Sequence, residues 1–181
     1  AVLQDVPSVF ETDLFAPLIE FGEQRSGKRS GQDFATTRAL RILADHGRGA
    51  TFLMADGVVP SNEDRGYILR RILRRAIQQG RRLGIADGFV PDLCQVVIDK
   101  MGEPYPQLQE ERETIIRWAA AEEEGFGRTL AQGERLLADL IEKARRDGAQ
   151  AIPADEAFRL HDTFGFPFEL TVELLSEQGL G

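Results

Sequence analysis

Residues 63–83 read EDRGYILRRILRRAIQQGRRL, and this stretch decides the fold class. On a helical wheel at about 100° per residue, with Arg70 at zero, its arginines after Gly66 fall within about 140° of one another. Leu69, Ile72 and Leu73 fall on the opposite side, which is the pattern of an amphipathic helix packed on one face. The stretch predicts a long helix with an arginine face formed by Arg70, Arg71, Arg74, Arg75, Arg81 and Arg82.

Helical apolar spacing also recurs on both sides of this stretch, and no segment alternates convincingly like a strand. The sequence therefore predicts an all-α fold, a multi-helix domain with long helices and short loops. A capping box at Ser61-Asn62-Glu63-Asp64 predicts that the arginine helix starts at about Glu63. The run Gln24–Gly31 has linker composition. Further helices are predicted from Asp33 to about Gly57, over Val90–Met101, within Pro106–Asp147 as one helix or two with a break near Gly125–Gly127, from Pro153 to about His161, and from Pro167 to about Gly179.

The charge is distributed unevenly along the chain. The total is -8, but residues 38–82 hold ten arginines and four acids, so this part carries +6 and the remainder -14. An ordinary surface helix would pair its arginines with acids one turn away, and no acid lies between Arg65 and Arg82. This favours phosphate binding over a merely solvated basic face. Arg65 lies on the apolar side of the wheel and is predicted to form a buried ion pair, whereas the glutamates of residues 110–124 are predicted to form a solvated acidic surface.

Several classes of protein are excluded by composition. Cys94 is the only cysteine, which excludes an internal disulfide framework and a thiolate-rich zinc site and favours a reducing, cytoplasmic location. His46 and His161 have no ligand spacing, so no metal site is predicted. No apolar run is long enough for a membrane span, and no signal segment is present, so no membrane partner is expected. Because the chain starts at Ala1 without an initiator methionine, it is interpreted as a piece of a longer protein.

Four segments resemble one known family. Residues 43–76, LADHGRGATFLMADGVVPSNEDRGYILRRILRRA, closely resemble the segment that follows the catalytic core in alanyl-tRNA synthetases. FRLHDTFGFP at residues 158–167, GFGRTLAQGERLL at 125–137 and DLFAPL at 13–18 resemble other elements of that family. Gly47, Gly49 and His161 depart from the usual family residues, and the two glycines are expected to weaken the helix locally.

The resemblance implies a class II alanine–tRNA ligase, which activates alanine with ATP and esterifies it to tRNA(Ala). It assigns residues 1–31 to the C-terminal end of the catalytic domain and a linker, and 32–181 to a helical domain that recognises the tRNA acceptor stem, up to the start of the editing domain. No catalytic residue is assigned, so the fragment alone is predicted to be inactive. ATP with magnesium, and zinc, are expected only in the missing parts, and the catalytic and editing domains of the same chain are expected partners.

The resemblance also implies two residues for base recognition, Asn62 and Asp162, which would read a G·U wobble pair in the acceptor stem. This pair leaves the guanine 2-amino group unpaired in the shallow minor groove, where an amide or carboxylate oxygen can accept from it. The structural alternatives are a helix N-cap for Asn62 and an Asx-turn for Asp162. For the whole chain, the alternatives are a stand-alone helical nucleic-acid-binding module and a structural spacer.

Overall fold

The computed structural model describes residues 1–181 and contains no strand, which confirms the all-α prediction. Two 3-10 turns, Val2–Gln4 and Val9–Glu11, precede the first α-helix. The chain forms two compact units, Ala1–Glu124 and Gly125–Gly181. The helices are α1 (Ala16–Ser26), α2 (Phe34–Ala55), α3 (Asp64–Leu83), α4 (Val90–Met101), α5 (Gln107–Glu110), α6 (Arg112–Arg146), α7 (Ala154–Asp162) and α8 (Phe168–Glu177).

Helix α2 is the centre of the first unit and packs against α1, α3, α4 and α5. Its start was predicted correctly, because the Asp33 carboxylate caps the helix by accepting from the Thr36 backbone N–H at 2.7 Å. That hydrogen bond is the main reason why the pKa of Asp33 is lowered from its usual value. Leu40, Leu43 and Met54 of α2 are fully buried, so this helix carries much of the apolar core that holds the arginine helix α3 in place.

Close helix packing in this unit uses a glycine that the sequence suggested was a weakness. A Cβ atom built on Gly47 of α2 would lie 2.4 Å from Leu93 Cδ2 of α4. Gly47 therefore lets the two helices approach closely, and the lost helix propensity is offset by packing. Helix α4 has the predicted bounds. The predicted linker Gln24–Gly31 is partly wrong, because α1 extends to Ser26 and ends only where Gly27 adopts a left-handed φ of 70°.

The second unit contains the C-terminal part of α6 together with α7 and α8. Helices α7 and α8 pack against each other. Of the two predictions for residues 106–147, the single helix is nearer the structure, because α6 continues through Gly125 and Gly127 without a break. Phe166 is fully buried in this unit, and a Cβ atom built on Gly133 would lie 2.1 Å from its ring. Helices α7 and α8 begin just after Pro153 and Pro167, as predicted.

Candidate nucleic-acid interface

The predicted arginine face of α3 consists of two rows that differ in burial. Arg70, Arg74 and Arg81, at about 0°, 40° and 20° on the wheel, are half-buried and form the inner row. Arg71, Arg75 and Arg82 lie at about 100°, 140° and 120°, are exposed, and form the outer row. The six arginines therefore share one helix, but only the outer row is fully presented to solvent.

Acids from outside α3 pair with the inner row. Both oxygens of Glu122 in α6 accept from it, with Arg70 Nε at 3.1 Å and Arg74 Nε at 2.8 Å. Arg81 donates twice to Asp87, from Nε at 3.0 Å and from Nη2 at 2.7 Å. The inference that α3 lacks acid partners, drawn from its own sequence, is therefore wrong for this row. The partners come from a neighbouring helix and from the loop after α3, where local sequence spacing does not show them.

Two arginines of the outer row differ from the inner row. Arg71 and Arg75 are exposed and make no ion pair. Arg82 is exposed as well, and its backbone carbonyl accepts from Lys28 Nζ at 3.3 Å. Exposed guanidinium groups without an acidic partner keep their full capacity to donate to phosphate oxygens. Among the predicted phosphate ligands, Arg71 and Arg75 have the geometry best suited to that role.

The loop before α3 folds back on the first turn of the helix. The Ser61 N–H donates to the Gly66 carbonyl at 3.2 Å, and a Cβ atom built on Gly66 would lie 2.4 Å from the Val59 carbonyl oxygen. This arrangement corrects the predicted capping box, because the N-cap is Glu63 and no side chain caps the helix. Ser61 Oγ instead donates to the Glu63 carbonyl at 3.0 Å.

Asn62 is exposed in this loop and is not the N-cap, so the structural alternative for this residue is wrong. Its side-chain oxygen accepts a hydrogen bond from Arg70 Nη1. The folded-back loop thus brings the predicted base-reading amide next to Arg70 of the inner row. Asn62 and the whole arginine face belong to the first unit.

Asp162 belongs to the second unit, where it is the last residue of α7. Its side chain is exposed, accepts no hydrogen bond and makes no ion pair, so the Asx-turn alternative is not observed either. The carboxylate is available to a donor from outside the protein. That Asn62 and Asp162 meet on one base pair stays a prediction.

Two acids and one arginine differ from the sequence-based expectation. Glu122 and Glu123 are buried, with 7% and 4% of their surface exposed, so they are not part of a solvated acidic surface. Glu123 accepts from the backbone N–H groups of Gly88, Phe89 and Val90 at 2.8–3.2 Å and thereby holds the start of α4. Burial raises the pKa of Glu123, and the three backbone donors offset only part of this rise. The buried ion pair predicted for Arg65 is wrong: Arg65 is exposed and makes no ion pair, because it lies at the N-terminal end of α3, in the first turn.

Glu122 is the residue of this site that sequence reasoning missed. The signal that could have found it is an acidic run, Glu122-Glu123-Glu124, inside a predicted helix of a chain whose arginine helix contains no acid. Neither histidine is among the predicted phosphate-binding or base-reading residues. His46 Nδ1 is 3.0 Å from Asp45 Oδ2, and His161 is exposed. No helix is both long and apolar enough to cross a membrane.

Comparison with known proteins agrees with the resemblance. The family model described as "tRNA synthetases class II (A)" matches residues 1–181. The chain is 48% identical to the alanine–tRNA ligase of Pelotomaculum thermopropionicum and 48% identical to that of Geobacillus kaustophilus, in each case over 99% of this chain. It is 45% identical to the alanine–tRNA ligase of Dehalococcoides mccartyi, also over 99% of this chain. The chain spans about 20% of the length of these relatives. The chain belongs to the class II tRNA synthetase family, and nearly its whole sequence is similar to one segment of the alanine–tRNA ligases.

Proposed function

We propose that this chain binds the acceptor stem of tRNA(Ala), as part of a longer alanine–tRNA ligase that activates alanine with ATP and esterifies it to the tRNA. The observation that carries the proposal is the combination of groups that α3 and the loop before it present. Arg70 of α3 donates to the exposed Asn62 amide in the loop before the helix, and the same helix presents Arg71 and Arg75 to solvent without acidic partners. One segment of the chain thus supplies a candidate base-reading group and unpaired guanidinium groups, the two kinds of contact that sequence-selective nucleic-acid binding combines.

Phosphate contacts and base contacts have separate roles in this proposal. The outer row binds phosphates and contributes affinity without regard to sequence, since phosphates are the same in every duplex. Asn62 and Asp162 bind the minor-groove edge of the G·U wobble pair and contribute the choice of base pair. Asp162 accepts from the guanine 2-amino group, and its unoccupied carboxylate supports this role.

The remaining chemistry of the enzyme belongs to other parts of the longer protein in this proposal. Residues 1–31 close a class II catalytic domain, 32–181 form the acceptor-stem domain, and the catalytic and editing domains are partners in the same cytoplasmic chain. ATP with magnesium, and zinc, bind in those other parts. We expect the 181-residue chain alone to give no alanine-dependent exchange of pyrophosphate into ATP. Exchange above that of a no-enzyme blank would contradict this expectation.

The binding test compares two acceptor-stem duplexes that differ only in having a G·U or a G·C pair. Asn62→Ala or Asp162→Asn should each cost about 1–3 kcal/mol on the G·U duplex, the scale of one good base contact, and much less on the G·C duplex. The dissociation constants are measured at one fixed salt concentration, because salt alone changes them strongly.

Three outcomes would contradict the proposal. Equal losses on both duplexes would remove the base-reading role. Uniform weak binding of any duplex by the unchanged chain would indicate a general nucleic-acid-binding module. No binding to either duplex would leave only the structural spacer.

A further inference from the structure

One buried carboxylate connects α6 to the loop that carries Asn62. Glu122 is 7% exposed and accepts from Arg70 Nε at 3.1 Å and from Arg74 Nε at 2.8 Å. Because both of its oxygens are engaged, its position and that of Arg70 are fixed together. Arg70 then donates through Nη1 to the side-chain oxygen of Asn62. The result is a continuous hydrogen-bonded chain from the buried acid to the exposed amide.

This chain determines which way the Asn62 amide faces. A guanidinium group has only donors, so the group of Asn62 that faces Arg70 must be its oxygen. The amide nitrogen, with its two donors, is consequently directed away from Arg70, and the oxygen keeps one lone pair for a second donor. An exposed asparagine without such a partner could rotate about its terminal bond and present either end.

We propose that Glu122 and Arg70 are positioning residues for base-pair recognition: Glu122 in α6 fixes Arg70, and Arg70 fixes the orientation of the Asn62 amide beside it. The inference rests on the proposed role of Asn62. Neither residue needs to touch a base. Their effect is on the discrimination between base pairs, since a freely rotating amide still occupies the groove but no longer presents one fixed set of donors and acceptors.

A purely structural role of Glu122 would produce a different result. Glu122→Gln removes one negative charge beside two arginines while retaining the shape of the side chain and one acceptor oxygen. The charge change alone strengthens attraction to any polyanion. We therefore expect the Glu122→Gln variant to bind the G·C duplex at least as tightly as the unchanged chain, and to lose discrimination between the G·U and G·C duplexes. Loss of fold would instead weaken binding to both.

Asp87 provides a matched control. Like Glu122, it is a carboxylate paired with an inner-row arginine of α3, but its partner is Arg81, which has no contact with Asn62. Asp87→Asn makes the same change in charge as Glu122→Gln. It should raise affinity for both duplexes by similar factors and leave their ratio unchanged.

The experiment measures the ratio of dissociation constants for the G·C and G·U duplexes in the unchanged chain and in four variants, with circular dichroism to check helicity. Asn62→Ala should lower the ratio about tenfold, the value of one base contact. Glu122→Gln and Arg70→Lys should each lower it about threefold or more, since one ammonium group cannot replace a fork that reaches both partners. Asp87→Asn should not lower it.

The outcomes separate this inference from the proposed function. A ratio that Asn62→Ala leaves unchanged refutes the proposed base-reading role. A ratio that Asn62→Ala lowers and that Glu122→Gln and Arg70→Lys leave unchanged overturns the positioning role alone. The same holds if Asp87→Asn lowers the ratio as much as Glu122→Gln does. If Glu122→Gln does not fold, Arg70→Lys decides between these outcomes.

Discussion

Replacing Arg71 and Arg75 with glutamine should flatten the salt dependence of RNA binding while leaving the fold unchanged. Both side chains are exposed and make no ion pair, so their replacement breaks no ion pair within the protein. Each phosphate neutralised on a duplex contributes about 0.9 to the slope of log K against log salt, so the double variant should lose about 1.8. Between about 50 and 200 mM salt, the unchanged chain should therefore lose about tenfold more affinity than the variant.

The assay is fluorescence anisotropy of a labelled acceptor-stem duplex, titrated at four or more salt concentrations. The matched comparison is Arg71→Gln against Arg81→Gln, which remove the same charge from the same helix. Arg81 is already bonded twice to Asp87, so its removal should change the slope by less than half as much. Equal slopes for these two single variants, or an unchanged slope in the double variant, would show that burial and pairing do not select the phosphate ligands.

Three further predictions concern the scaffold. Glu123→Ala should lower the free energy of unfolding by about 2 kcal/mol in urea titrations, because it leaves the backbone donors at the start of α4 without their acceptor; an unchanged midpoint would mean that water replaces the carboxylate. Burial raises the pKa of the Cys94 thiol to about 12, so it should react with a disulfide reagent at pH 8 at least about 100 times more slowly in the native chain than in urea. Gly47→Ala should destabilise the chain by about 1–2 kcal/mol, because the added methyl group overlaps Leu93. Gly49→Ala meets no atom within 4 Å and should stabilise the chain by about 0.5–1 kcal/mol through its higher helix propensity. Midpoints of thermal unfolding that shift in the same direction for both variants would contradict the packing argument.

Local sequence was sufficient for most of the helices. The bounds of α4 and the starts of α2, α7 and α8 follow from caps, prolines and apolar spacing, all of which act within a few residues. The start of α3 was harder, because it depends on the loop that folds back onto Gly66. Ser61 has the residue type of an N-cap, but its hydroxyl bonds to the loop backbone instead of to the first turn.

The candidate site was predictable as a face and not as individual contacts. The wheel correctly places the six arginines on one side of α3, since that follows from helix geometry alone. Which of them are available depends on Glu122, about 50 positions further along the chain, and on Asp87 in the next loop. Such pairing is tertiary, so a rule for acids one turn apart on a helix cannot detect it. The same limit explains why Glu122 and Glu123 looked like solvated charges.

The contrast between the paired Arg70 and Arg74 and the unpaired Arg71 and Arg75 is itself an argument for an anionic partner. Arg70 and Arg74 are like charges one turn apart, and Glu122 between them offsets their repulsion. Arg71 and Arg75 have the same spacing but no acid, so the free protein retains a repulsion of about 0.2–0.5 kcal/mol there. A single acid between Arg71 and Arg75 would offset this repulsion, as Glu122 does between Arg70 and Arg74. Local rules are broken mainly where function requires it, and a phosphate oxygen between Arg71 and Arg75 would supply the missing negative charge.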